Sequence, residues 1–176
     1  MVSFYLVPNW FFGFGIFLEI IFALIAAAVA VVAFKIYRAS CQNEFRLFGL
    51  SFISISLSYF LIALINLFVV SQISDELREL SLSQITTFSL FGLYLHIFLF
   101  ISGLTLLCYT SLKLNNSKIL ILLAFMELFL IFLSANKAFA FFLMAALFIS
   151  FLIAHYTSEY LSRRNPKTLL ILISFV

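Results

Sequence analysis

Long apolar runs separated by short polar turns dominate the chain. In windows of about 19 residues, five runs stand out, at 10–34, 47–70, 88–112, 119–135 and 138–157. Each reads as a helix able to cross a hydrocarbon core of ~30 Å. Helices are the expected form because they satisfy their own backbone groups, as lipid demands. A sixth run, 168–176, begins like a span and stops after a rise of only ~13–14 Å. It reads as a truncated or half-length sixth span, as expected of a fragment whose last helix is cut. The alternative is a tail shielded by neighbouring protein.

The connections fit this pattern. Lys113-Leu-Asn-Asn-Ser-Lys118 reads as a polar turn and Ser134-Ala-Asn-Lys137 as a tight hairpin. Between the second and third spans, Ser74-Asp-Glu-Leu-Arg-Glu79 reads as a short helix capped by Ser74, with acids in its first turn. Ile73, Leu77 and Leu80 share a face, so this helix is expected to lie on the membrane surface. Tyr5 and Trp10 read as interfacial anchors of the first span.

Composition narrows the class. Of 176 residues, 65% are hydrophobic and 10% charged, whereas a soluble domain is about half apolar and a quarter charged. So little charge cannot cover a water-facing surface. A soluble enzyme, a nucleic-acid binder and a disordered chain are excluded; the primary partner is the lipid bilayer. The expectation is an all-α, polytopic transmembrane helical bundle, one domain over 1–176, with five full spans and the partial sixth. No positive stretch precedes the first apolar run, the first basic residue being Lys35, so no cleaved secretory signal is expected. The 25 phenylalanines are spread over all spans and read as lipid-facing filler rather than a chromophore site. Cys41 and Cys108 make no disulfide framework and are expected to be thiols.

Charge placement predicts orientation. Lys35, Arg38, Arg46, Lys113, Lys118, Arg163, Arg164 and Lys167 fall in alternate connections on one side, and only Arg78 and Lys137 on the other. The positive-inside bias then puts the N-terminus outside, in a multi-pass protein of the cell membrane. Lys35, Arg38, Arg46, Arg163 and Arg164 are expected to meet anionic lipid head groups.

Four polar side chains inside the spans need explaining: Glu19, Asn66, His96 and Glu127. Ionisable groups in a membrane are costly and face other protein or water, which makes each a candidate site. Counting inward from Trp10, Phe88 and Ala135 puts Glu19, His96 and Glu127 at one depth, ~12–14 Å from the outer surface; Asn66 comes out shallower. On the third span Ser89, Gly92, His96, Gly103 and Thr110 share one face. On the second, Ser51, Ser54 and Ser58 form a small polar stripe with Tyr59 and Asn66 on its flank. Both read as helix-packing surfaces.

The Glu19, His96 and Glu127 set admits three readings: helix-joining hydrogen bonds, a proton or cation path, or a ligand or pH sensor. His96 and His155 differ by ~20 Å in depth, too far for one haem. No histidine or Glu-x-x-His spacing marks a metal site, so no cofactor or metal is expected. Hydrolase, phosphate-loop and internal-repeat signatures are lacking.

Lys35-Ile-Tyr-Arg38, Arg46-Leu-Phe-Gly-Leu-Ser-Phe52 and Ser58-Tyr59 together resemble a pattern in small multi-spanning membrane proteins of archaea. The resemblance implies a seven-helix relative whose sixth and seventh spans are cut or missing here. It implies no activity and carries over no site residues.

The expected function is that of a non-enzymatic sensory, scaffolding or complex subunit, partnered by other membrane subunits or a missing C-terminal segment. The alternative is a proton- or cation-coupled small-solute transporter using Glu19, His96 and Glu127. An intramembrane enzyme is disfavoured because no reactive pair is visible.

Overall fold

The computed structural model describes residues 9–74, 82–112 and 116–163. They form five helices: α1 (Asn9–Ser40), α2 (Asn43–Ser74), α3 (Leu82–Ser111), α4 (Ser117–Leu133) and α5 (Lys137–Arg163). All five expected spans are helical. The expected partial span 168–176 lies outside the described residues, as do Tyr5, Arg164 and the acidic stretch 75–81.

The helices overrun the apolar windows because nothing in the sequence stops them at the hydrocarbon edge. α1 continues through Lys35 and Arg38 to Ser40. Cys41 then adopts a left-handed backbone (φ 55), while its N–H bonds back to the Tyr37 carbonyl at 2.8 Å. This is a common way to end a helix. Gln42 completes a two-residue connection, and Arg46 already stands on α2. The basic segment 35–46, expected as a loop, is therefore two helix ends and a tight turn. Likewise α2 runs through Ser74, which is helical and not the cap of a separate helix.

α4 departs from the expectation in length. With 17 residues it rises ~26 Å, short of the ~30 Å of a hydrocarbon core. Four of the five helices are long and apolar enough to cross a membrane: α1, α2, α3 and α5. Asn116 caps the start of α4 by accepting the Lys118 N–H at 3.0 Å. At the other end Asn136 Oδ1 accepts the Phe139 N–H at 3.1 Å and starts α5.

Contacts between helices define the arrangement. α1 lies against α2 and α2 against α3; α3, α4 and α5 then form a triangle. Among the described residues α1 packs on no helix but α2. α1 and α2 are antiparallel, since Glu19 meets Asn66 while Phe34 meets Gly49, and so are α2 and α3, since Ser51 meets Gly103 while Ser58 meets His96. α5 runs parallel to α3: Phe100 contacts Phe141, and further along Ser111 contacts Tyr156.

Small residues allow the close approaches. Ala23, Ala26, Ala30 and Ala33 recur at helical spacing and form the buried stripe of α1. The two small polar stripes foreseen on α2 and α3 prove to be each other's partners. A Cβ at Gly103 would come within 2.9 Å of the Ser51 carbonyl, so the α2 and α3 backbones meet there nearly bare. Outward faces remain apolar: Phe17 and Leu24 on α1, Ile121 and Phe125 on α4, and Phe139 and Phe142 on α5 are all exposed. Water would not tolerate such a surface and lipid does.

Candidate functional site

Several intramembrane polar side chains sit at the helix interfaces and bond across to a neighbour, whereas Ser51 and Thr110 bond back to carbonyls of their own helices. Between α1 and α2, Asn66 Nδ2 donates to both carboxylate oxygens of Glu19, at 2.8 and 3.0 Å. Lower on the same interface Ser56 donates to the Ala23 carbonyl at 2.8 Å. Between α2 and α3, Ser54 donates to the Leu99 carbonyl at 2.8 Å and contacts the Ser102 hydroxyl at 3.2 Å.

Ser58 and His96 lock the same interface twice. The Ser58 hydroxyl lies 2.6 Å from His96 Nδ1 and 3.1 Å from the His96 carbonyl. Nδ1 also lies 3.2 Å from the Ser58 carbonyl. Carbonyl oxygens only accept. We therefore assign the ring hydrogen to Nδ1, with the Ser58 hydroxyl donating to the His96 carbonyl. The imidazole sits among aromatic rings from three helices, 5.7 Å from Tyr59, 5.9 Å from Phe100 and 5.8 Å from Phe141.

Between α3 and α4, the buried Glu127 carboxyl is hydrogen-bonded through Oε2 to the Thr105 hydroxyl. Its Oε1 is buried with no partner. Further along, Ser111 donates to the Tyr156 hydroxyl at 3.0 Å and joins α3 to α5.

Of the four sequence candidates, the structure joins Glu19 with Asn66 and gives His96 and Glu127 separate partners. The levels also differ. Ser58 and Asn66 are eight residues apart on α2, or ~12 Å, and His96 and Thr105 nine apart on α3, or ~13–14 Å. The three links thus form a staircase rather than one layer. Counting depth from the edges of apolar windows gives equal values because it takes those edges for helix ends, and α3 begins at Leu82, six residues before its window, which puts His96 fourteen residues in. Thr105, Ser56 and Ser111 were not singled out from the sequence. Thr105 was discoverable, since nine residues at 100° put it half a turn from His96, facing away from α2.

Among the described residues no three His, Cys, Asp or Glu side chains gather as a metal site would need. Lys35, Arg38 and Arg46 are exposed at one end of the bundle, around the α1–α2 turn. Arg163 is the last residue of α5. The chain matches no protein-family profile, no curated protein and no solved structure. Its helices and lipid-suited exterior give the class alone: an all-α, multi-pass membrane protein.

Proposed function

We propose that this chain is a non-enzymatic subunit of a membrane assembly in the cell membrane, with a sensory or scaffolding role and its N-terminus extracytoplasmic. The observation that supports it is how polar side chains are used between helices. Glu19, Asn66, Ser54, Ser58, His96 and Ser111 are each committed to a neighbouring helix. Groups so engaged hold register, and such bonds contribute ~0.6–2 kcal/mol each in a membrane. Orientation rests on the eight-to-two division of basic residues. Lys35, Arg38 and Arg46, with Arg163 and Arg164, take anionic head groups on the cytoplasmic side, and other membrane subunits cover part of the apolar exterior.

A second reading, a proton- or cation-coupled small-solute transporter, draws on one observation: the unpartnered buried oxygen of Glu127. Purified full-length chain in vesicles holding a pH-sensitive dye separates the two. The subunit reading expects no proton flux above that of empty vesicles across an imposed pH gradient. Flux that Glu127→Gln abolishes, with helicity unchanged, would replace it with the transporter.

A further inference from the structure

The Thr105 hydroxyl has one hydrogen and two oxygens in reach. One is the Ile101 carbonyl on its own helix, at 2.8 Å, and the other is Glu127 Oε2. A peptide carbonyl can only accept, and so can an ionised carboxylate. Were Glu127 ionised, one hydrogen would serve two acceptors. An anionic oxygen, Oε1, would also be sealed in the interior with no donor, and an unpaired buried charge is among the costliest arrangements a fold can hold.

Among the described residues no cation is placed to offset that charge. α3 contains no Lys or Arg. The one basic residue of α4, Lys118, is nine residues from Glu127, or ~13–14 Å along the helix. α5 carries Lys137 and Arg163 at its two ends, and its one histidine, His155, packs its ring on Phe151 and Tyr156. The titratable group that α3 sets beside Glu127 is the buried Cys108 thiol, one turn beyond Thr105. From α5, Tyr156 is bonded to Ser111, with Glu159 and Cys108 as its titratable neighbours. None of these supplies positive charge.

One added hydrogen resolves the count. With a proton on Oε2, Glu127 donates to Thr105, Thr105 donates to Ile101, and each hydrogen has one acceptor. Oε1 is then the carbonyl oxygen of a neutral acid, and what remains unsatisfied is a dipole rather than a charge. We propose that Glu127 is a proton-binding site in the membrane interior: the folded chain holds it as the acid, in a relay from Glu127 through Thr105 to the Ile101 carbonyl. The ligand is a proton and not a metal cation, because among the described residues no three His, Cys, Asp or Glu side chains gather at Glu127 to hold an ion.

Infrared spectroscopy of the full chain in phosphatidylcholine vesicles near neutral pH tests this without any transport assay, so its outcome is independent of the subunit reading. The carbonyl stretch of a protonated carboxyl group is expected in the wild type, lost in Glu127→Gln and retained in Glu19→Gln. Loss of a carboxylate band in its place in Glu127→Gln would overturn the proposal. Thr105→Val is nearly isosteric and keeps the carboxyl, so it reads the same site even where Glu127→Gln fails to fold. The band is expected to move to higher frequency in that variant as its hydrogen bond is lost; an unmoved band, or none in either protein, would also overturn it.

Discussion

A methyl group added at Gly103 would stand 2.7 Å from Ile55 Cγ1 and 2.9 Å from the Ser51 carbonyl oxygen; at Gly13 it would meet nothing within 4 Å. The two glycines look alike in the sequence and differ wholly in the fold. Gly103→Ala forces α2 and α3 apart against backbone, where overpacking costs about 1–3 kcal/mol and the gain in helix propensity returns at most ~1. A lower melting temperature in detergent is expected for Gly103→Ala and no loss for Gly13→Ala. Equal melting temperatures would show that the α2–α3 contact is looser than described. The sequence did mark Gly92, His96 and Gly103 as one face of a helix, because spacing at 100° per residue is local information. It could not say what each residue touches, since that depends on how far neighbouring helices slide.

At the scale of the element, the apolar windows located all five helices, because the cost of unpaired backbone in lipid leaves few alternatives. Their ends were less legible. Hydropathy marks where lipid stops, whereas a helix begins or ends only where a cap sets it, as Asn116 does at the start of α4 and Cys41 at the end of α1. α4 shows the opposite error: an apolar run long enough to attract a span assignment ends two residues short, where Ser134 leaves the helix. The α1–α2 pair offers a direct measurement. Glu19→Gln, Asn66→Leu and the double variant form a cycle whose coupling is expected at ~0.6–1.7 kcal/mol, read from unfolding in mixed micelles. Additive effects would mean that Glu19 and Asn66 do not hold the helices together.

Across the whole molecule, polar links descend from Glu19–Asn66 through Ser58–His96 to Thr105–Glu127, moving one helix along at each step. The sequence showed that polar groups were embedded and not that they were distributed, because depth and adjacency are properties of the assembled chain. Orientation is open to a labelling measurement, since Cys41 is exposed at the α1–α2 turn and Cys108 is buried. An impermeant maleimide is expected to label inverted vesicles and spare right-side-out ones, and Cys41→Ser should abolish the signal with Cys108 still present. Labelling of right-side-out vesicles would reverse the topology.

The row in which α1 leans on α2 alone, and α2 passes the contact on to α3, has a bearing on biosynthesis. The second and third helices, α2 and α3, each find a docking surface on the one made just before. Closure of the α3–α4–α5 triangle waits for the segment that follows α4. A ribosome stalled after α3 would thus leave a three-helix hairpin with the α1–α2 and α2–α3 contacts made, whereas one stalled after α4 would leave a short helix holding a carboxyl group and half its cover.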